Sequence, residues 1–445
     1  MSRILSADAT PEKRLFISLI TRDISLADAF LDIIDNSVNA ALEPMAGALI
    51  NAADYQRLLS LDATPVVEIT VNVTEDEVRI EDNASGIDAV TAQEHVFKFG
   101  RAELDASATD RLSVYGIGLK RAIFKMANSI EMQSDHREGG FELRLNVDAW
   151  QALQQERWQF DISTRDPVTS GTGTRIKLTE LRDEVRRRIG DGVFLEQLKK
   201  KIARTYTLFL GRIIDISVNG ERIEGVPLRI GSNAASDSFE DGGVTCSIAA
   251  GIAEVGPSGK YAQDGSGWFV FCNGRNVVFG DKSELTGWTG GAGLPIFQPK
   301  HRPFLGVVFF VSSNPEQLPW TTTKTGLNEE SRVWQAARRI MVVVGKQVTS
   351  YLDQRYSSEG TEVSIEDVKQ AAGSTVSVLA SSTLSKKQFS RPSKVAPDTI
   401  KIQYDALSEQ VAAITKYLRR SSMSGAEVGR YTFDYFYKNK VGANE

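Results

Sequence analysis

A run of carboxylate and carboxamide side chains between residues 24 and 43 has the spacing of one helix face. Its members are Asp28, Asp32, Asp35, Asn36 and Asn39. No lysine or arginine occurs between Arg22 and Arg57, so we expect this face to lack a compensating positive charge. Oxygen ligands at such spacing suit a hard cation such as Mg²⁺, which keeps several of its waters. The alternative interpretation is a plain solvated acidic helix.

The opposite face of the same segment is apolar. Six residues recur at three- and four-residue intervals, namely Leu26, Phe30, Ile33, Ile34, Val38 and Ala41. This period predicts an amphipathic helix that packs on a core and presents the acidic face outward.

A second candidate site group lies at the end of a predicted hairpin. Residues 66–87 alternate apolar and polar side chains in two runs that are joined by a turn-prone segment. The second run ends at Asp82, and Gly86 follows in a loop of small residues. A carboxylate at a strand end can accept a hydrogen bond from a ligand, although the same letters also suit an ordinary turn.

A third group is the stretch YGIGLKRA, which contains Gly116, Gly118 and Lys120. The glycines permit close approach of a ligand to the backbone, and helical periodicity follows them. Amide groups at a helix start hold phosphate oxygens, and the lysine adds a positive charge. A glycine-rich helix entry with a solvated lysine is the alternative.

The length and composition limit the function classes. A chain of 445 residues is long enough for two or three domains. A net charge of −5 gives no general attraction to nucleic acid. The two cysteines and three histidines lack metal-ligand spacing. No apolar run has the length of a signal sequence or a membrane span, which predicts a cytoplasmic protein without a membrane partner.

The remaining segments supply the scaffold. Residues 12–20 are predicted to be a strand or an arm, and residues 182–211 a charged helical connection that faces either solvent or nucleic acid. Strands dominate from residue 213, and a loop before a long helix carries Lys324, a candidate phosphate sensor or simply a loop residue. Residues 356–398 read mostly as linker. Residues 402–420 predict a strand and a helix, followed by aromatic side chains that suit either base stacking or packing.

Four of these motifs, in this order, resemble the GHKL superfamily of gyrase, ninety-kilodalton heat-shock chaperones, histidine kinases and MutL. They are LDIIDNSVNA, EDNASGI, YGIGLK and GTGTRIKL. The resemblance covers roughly residues 12–180 and implies an α+β fold with a Bergerat-type α/β sandwich. The implied domains are 1–185 for ATP binding, 186–355 for an α/β transducer, 356–400 for a linker and 401–445 for a small C-terminal segment.

The resemblance also implies roles for single residues. Asn36 would coordinate the Mg²⁺ that bridges the ATP phosphates, and Asp82 would accept from the adenine amino group. The other implied nucleotide contacts are Gly86, Ile87, Gly116, Gly118, Lys120 and Thr174. Asp32 and Lys324 would be catalytic. Asp32 would orient the attacking water where hydrolysing members carry a glutamate, so we expect slow hydrolysis.

The second half of the chain narrows the resemblance. The stretch FVFCNGRNVV is similar to the N-G-R strand of the MutL transducer, and TTTKTGLN to the lysine loop of gyrase-type enzymes. YGIGLKRA is similar to MORC ATPases. The expected activity is an ATP-driven homodimeric clamp on DNA or a DNA-bound partner, in genome maintenance or antiviral defence. A chaperone for protein clients and a non-hydrolysing ATP sensor remain alternatives, with a protein kinase last.

Overall fold

A computed structural model describes residues 11–60, 67–100, 112, 116–153, 158–256, 261, 265–359, 372–378, 386–390, 402–420 and 422–441. Two compact units divide the chain, Met1–Pro392 and Ser393–Glu445. The first unit combines helices with two large sheets, which confirms the predicted mixed α/β fold class.

The first sheet is mixed and has the strand order β5-β4-β3-β6-β2-β1-β7-β8. Its strands are β1 (Val67–Val73), β2 (Val78–Asp82), β3 (Ala127–Asp135), β4 (Phe141–Asn146), β5 (Ile162–Thr164), β6 (Gly173–Leu181), β7 (Ile214–Val218) and β8 (Glu221–Arg222). β1 and β2 pair antiparallel, which confirms the predicted hairpin, whereas β1 and β7 pair parallel. The alternating burial of β1 places its valines and isoleucine in the core.

Eight α-helices precede the strand β7. They are α1 (Lys13–Arg22), α2 (Leu26–Leu42), α3 (Ala52–Ser60), α4 (Ala89–Thr91), α5 (Gly118–Met126), α6 (Val147–Ala152), α7 (Asp183–Gly190) and α8 (Val193–Thr205) in the part of the chain that the structure describes. α2 packs on α5 and β1, and α1 packs on α5. Ser25 begins α2 by accepting from the amide of Asp28 at 3.1 Å.

The prediction of a strand or an arm over residues 12–20 was wrong, because this segment is the helix α1. Its inner face carries Ile17 and also Lys13, whose Nζ donates to the carbonyl oxygens of Trp150 and Leu153. Because this lysine occupies an inner-face position, it interrupts the spacing of apolar residues that would have predicted a helix. The stem of such a side chain packs against apolar surface while its ammonium group reaches a helix end.

The second sheet has the order β10-β11-β14-β12-β13, and its three central strands are largely buried. Its strands are β10 (Ala235–Asp241), β11 (Val244–Ile252), β12 (Gly267–Cys272), β13 (Arg275–Asp281) and β14 (Phe304–Ser312). The long helix α9 (Arg332–Glu359) packs on β10, β11 and β14. This agrees with the strands and the long helix that the second half of the sequence predicts.

The two halves of the first unit share structure across residue 185, the predicted domain boundary. β7 and β8 follow that boundary but extend the first sheet. A small ladder joins β9 (Arg229–Gly231) to β15 (Thr375–Ser377), and β15 lies in the segment expected to be linker. The domain boundaries given above therefore stay predictions. The first sheet contains strands from both sides of residue 185.

The second unit has helices α10 (Ser408–Tyr417) and α11 (Gly425–Phe436). The strand predicted before α10 was wrong, since residues 402–407 have no regular structure. Ser424 and Glu427 form a capping box that begins α11. Among the described residues of both units, no helix is long and apolar enough to cross a membrane.

Candidate functional site

The helix α2 is buried nearly all round, and Asn36 is the exception within its central turns. Every residue from Ala29 to Asn39 is buried except Asn36, which is exposed. Polar side chains buried on this helix must find partners, because an unpaired buried polar group is costly. An exposed carboxamide in such a setting is available to a ligand. The sequence therefore placed its proposed Mg²⁺ residue correctly at a surface, but mistook the helix for a half-exposed one.

The residue after Asn36 ties this helix to the end of β2. Ser37 Oγ donates to Asp82 Oδ2 at 2.6 Å, and Asp82 Oδ1 accepts from the amides of Ala84 and Thr174 at 3.1 and 3.2 Å. Burial raises the pKa of Asp82, while these three hydrogen bonds act in the opposite direction. Asp82 is thus fixed in orientation within hydrogen-bonding reach of the Asn36 helix.

Thr174 belongs to the same polar cluster through a neighbouring strand. Its side-chain oxygen lies 3.1 Å from Ser134 Oγ, which also accepts from the amide of Ile87 at 2.7 Å. The sheet register places Thr174 opposite both Asp82 and Ser134. Three residues predicted in two motifs, Asp82, Ile87 and Thr174, therefore meet here, beside the helix that carries Asn36.

Gly86 is required by the protein's own backbone. Its φ is +73°, and a Cβ atom would lie 2.1 Å from the carbonyl oxygen of Asp135. The resemblance implied a nucleotide contact for this glycine, and the close contact with Asp135 gives a second reason for it. Ala84 is buried, and its amide donates to Asp82 Oδ1.

The acidic face of α2 is neutralised by residues far along the chain, so the expectation of an uncompensated face was wrong. Arg121 donates to Asp32 Oδ2 through Nε at 3.0 Å and Nη2 at 2.6 Å. Asp28 forms an ion pair with Lys201. Buried carboxylates need partners of this kind, and the fold rather than the local sequence supplies them.

Asp35 is the most highly coordinated of these carboxylates. Its Oδ1 accepts from Arg275 Nε at 2.9 Å and from the Tyr206 hydroxyl at 2.7 Å, and its Oδ2 accepts from Lys324 Nζ at 2.7 Å. Burial acts to raise the pKa of Asp35, but Arg275 and Lys324 hold that pKa below its ordinary value. Asp35 thus joins α2 to three segments beyond residue 185.

Lys324 reaches this cluster from a compact loop. Its φ is +54°, a left-handed conformation that costs a non-glycine residue about 1 kcal/mol or more. Arg275 Nη1 donates to the Lys324 carbonyl at 2.6 Å, and the amide of Lys324 donates to the carbonyl of Thr321 at 2.8 Å. Trp320, buried as predicted, donates from Nε1 to the Pro315 carbonyl and anchors the loop.

Asp32 lies between these groups and the glycine-rich helix start. The position of a Cβ atom on Gly118 would be 3.5 Å from Asp32 Oδ1, an ordinary van der Waals distance. Burial raises the pKa of Asp32, and Lys324 and Arg121 oppose that rise. A raised pKa favours proton acceptance near neutral pH, which suits a general base.

Lys120 is buried and points away from solvent. Its Nζ donates to the carbonyl oxygens of Val96 and Lys98, each at 2.6 Å, and lies 5.7 Å from the ring centroid of Phe99. Lys120 thus holds the segment around Val96 and Lys98, and its predicted contact with a phosphate stays a prediction. Residues 101–111 and 113–115, which connect this segment to the glycine-rich motif, lie outside the described part of the chain.

The buried charges of α2 are paired across the fold. Three cations, Arg121, Arg275 and Lys324, contact two carboxylates, Asp32 and Asp35. Within the described residues, no group of three or more His, Cys, Asp or Glu side chains could hold a metal ion.

A comparison with known protein families matched the segment that contains most of these residues. Residues 24–173 match the family model described as Histidine kinase-, DNA gyrase B-, and HSP90-like ATPase. The match supports ATP binding by this segment, which we call the GHKL segment. Comparison with the curated proteins gave no match.

The GHKL segment contains most of the predicted site but not all of it. Asn36, Asp82 and Gly118 lie inside it, Thr174 follows its last residue, and Lys324 lies far beyond it. The sequence analysis missed Ser37, Ser134, Arg121, Tyr206 and Arg275. Ser37 had a signal, its position next to Asn36, and Arg275 stands in the quoted N-G-R stretch. The others carry no signal without the fold.

Proposed function

We propose that the GHKL segment binds Mg-ATP between α2 and the ends of β2, β3 and β6. The hydrogen bond from Ser37 to Asp82 carries this proposal, because it joins the phosphate-side residue Asn36 to the adenine-side carboxylate. Asp82 accepts from the adenine amino group, with Thr174 and Ile87 beside it. Gly116 and Gly118 approach the phosphates at the start of α5.

The donor set near Asn36 fits magnesium held mainly by phosphate and water. Asn36 offers one exposed carboxamide oxygen, and the neighbouring carboxylates are already paired with Arg121, Arg275 and Lys324. Mg²⁺ takes few protein ligands in nucleotide sites and draws the rest from phosphate oxygens and waters. The ion would neutralise charge on the phosphates, and Asn36 would hold it.

Hydrolysis is assigned to Asp32, with Lys324 supporting charge on the terminal phosphate. Both hydrogen bonds from Arg121 use Asp32 Oδ2, which leaves Oδ1 for the attacking water. Lys324 stabilises negative charge that develops on the transferred group. The short aspartate side chain and its pairing with Arg121 both favour slow turnover. Lys120 supports the phosphate side by fixing the segment around Val96.

ATP binding is proposed to drive dimerisation of a MORC-like or MutL-like clamp that acts on DNA or a DNA-bound partner. The transducer contact through Arg275 and Lys324 supports this, because it links the nucleotide site to the second sheet. Such a clamp would serve genome maintenance or antiviral defence. ATP must bind the closed and open states with different affinity for the cycle to work.

The positive residues of α7 and α8 offer little free charge for DNA. Four of them are already paired with carboxylates in the described structure: Arg186, Arg188, Lys199 and Lys201. A solvated, paired connection is therefore favoured over a nucleic-acid face in this segment. The chaperone and ATP-sensor alternatives share the same nucleotide site and differ in client or turnover.

Steady-state phosphate release tests the ATPase assignment. We expect slow release by the wild type, a loss of about a hundredfold in Asp32→Ala, and recovered or faster release in Asp32→Glu, because a general base contributes about 10²-fold or more. Asp54→Asn is the matched control, since Asp54 is buried and paired with Arg57.

Two outcomes would count against this assignment. Release by Asp32→Ala at the wild-type rate would show that Asp32 is not the base. ATP binding by the wild type without any release would favour the non-hydrolysing sensor.

A further inference from the structure

We propose that Asp35 is a positioning residue that holds Lys324 until the terminal phosphate of ATP takes its place. This inference rests on the proposed nucleotide site and adds a regulatory step to it. When ATP binds, the γ-phosphate replaces the Asp35 carboxylate as the partner of the buried Lys324 ammonium group. ADP, which lacks that phosphate, leaves Lys324 on Asp35.

Asp35 binds Lys324 through a direct ion pair. Lys324 Nζ lies 2.7 Å from Asp35 Oδ2, and both side chains are buried. The backbone of Lys324 is fixed in its left-handed conformation by the hydrogen bond from Arg275. The protein's own contacts therefore dock the loop on α2, and the ammonium group of Lys324 needs to move only as a side chain.

Asp35 can release Lys324 without becoming an unpaired buried charge. Its two oxygens have separate partners: Oδ2 accepts from Lys324, whereas Oδ1 accepts from Arg275 and from the Tyr206 hydroxyl. After Lys324 leaves, the guanidinium of Arg275 still compensates Asp35. An isolated buried charge would oppose the transfer, so this division of partners makes the exchange feasible.

Lys324 lies close to the place proposed for the competing anion. Lys324 acts on the pKa of Asp32, and Asp32 lies four residues before Asn36, the proposed Mg²⁺ residue, on the same side of α2. The positive charge of Lys324 thus attracts both the carboxylates and the incoming phosphate.

The exchange predicts changes of opposite sign in the preference for ATP over ADP, the ratio of their dissociation constants with Mg²⁺. Asp35→Asn removes the competing charge and should raise the preference about tenfold, the scale of one charged hydrogen bond. Tyr206→Phe removes a donor from Asp35 and strengthens its hold on Lys324, so the preference should fall about threefold.

Lys324→Met provides the epistasis test. This variant should lose most of the preference for ATP, and Asp35→Asn/Lys324→Met should behave like Lys324→Met alone. Asp54→Asn is the matched control, because it makes the same chemical change at a buried, cation-paired aspartate outside this cluster. Isothermal titration with Mg-ADP and a non-hydrolysable Mg-ATP analogue measures each ratio.

The outcomes separate this inference from the nucleotide site itself. Equal weakening of ATP and ADP in Asp35→Asn, with an unchanged ratio, would make Asp35 a scaffold residue and overturn the exchange. An effect of Asp35→Asn that persists without Lys324 would also overturn it. Failure of the wild type to bind either nucleotide would refute the proposed site instead. If Asp35→Asn does not fold, the sign of the Tyr206→Phe effect decides alone.

Discussion

Lys120 shows that a motif can predict the position of a residue at a helix start without predicting the contacts of its side chain. The glycine-rich motif predicted a lysine at the start of a helix, and α5 does begin at Gly118. The side chain, however, donates to the carbonyls of Val96 and Lys98. No carboxylate is among its partners in the described part of the chain. Burial lowers the pKa of Lys120 to about 8.

This shift predicts a pH dependence of stability. The unfolded chain, with the ordinary lysine pKa of 10.5, binds more protons than the folded chain between pH 8 and 10.5. The contribution of Lys120 to the free energy of unfolding therefore rises with pH across this window, by at most about 3 kcal/mol. Chemical denaturation of the wild type and Lys120→Arg at pH 8 and pH 10 measures the difference, since arginine does not titrate there.

The wild type should gain stability over this range relative to Lys120→Arg. Other groups titrate in both proteins, so their contribution cancels in the comparison. Parallel changes in the two proteins would contradict the shifted pKa of Lys120.

At the scale of elements, periodicity predicted the helix α2 and the strand β1. The apolar stripe of α2 and the alternation in β1 are local signals, and both elements formed, although the polar face of α2 is buried as well. Periodicity did not predict the helix α1, because Lys13 occupies its buried face, where an apolar residue is expected. The strand predicted before α10 shows the reverse case, since residues 402–407 alternate without pairing.

A motif predicts the position of a candidate site residue but not the partners that the fold gives it. Asp82 and Thr174 come from separate motifs, and the fold joins them to each other and, through Ser37, to the helix that carries Asn36. The neutralisation of Asp32 by Arg121 spans 89 residues, and that of Asp35 by Lys324 spans 289. No local pattern reports such pairs, which is why the acidic face was expected to be uncompensated.

At the scale of the whole molecule, the net charge of −5 does not report the ion pairs that the fold buries. Composition alone argued neither for nor against an anionic ligand. The ion pairs of Asp32 and Asp35 join five side chains that the fold collects from distant segments. Arg275 and Lys324 come from outside the GHKL segment, so the proposed nucleotide site would depend on the assembled first unit.

The clamp proposal makes a prediction about assembly. With Mg²⁺ and a non-hydrolysable ATP analogue, the solution mass should double relative to the ADP-bound protein, and Asn36→Ala should not respond. Light scattering after size-exclusion chromatography measures this. A monomer that has bound the analogue would contradict the clamp. DNA binding that weakens steeply with salt would separate the DNA-acting clamp from a chaperone.

Titration of the protein with Mg-ATP tests the central claim most directly. We predict one binding site in the wild type and a loss of affinity of about tenfold to a hundredfold in Asn36→Ala, as for removal of a residue that supports a metal. Asn128→Ala, which changes an asparagine that bonds to Glu180 on another strand, should bind like the wild type. Absence of uptake by the wild type, or unchanged affinity in Asn36→Ala, would contradict the account.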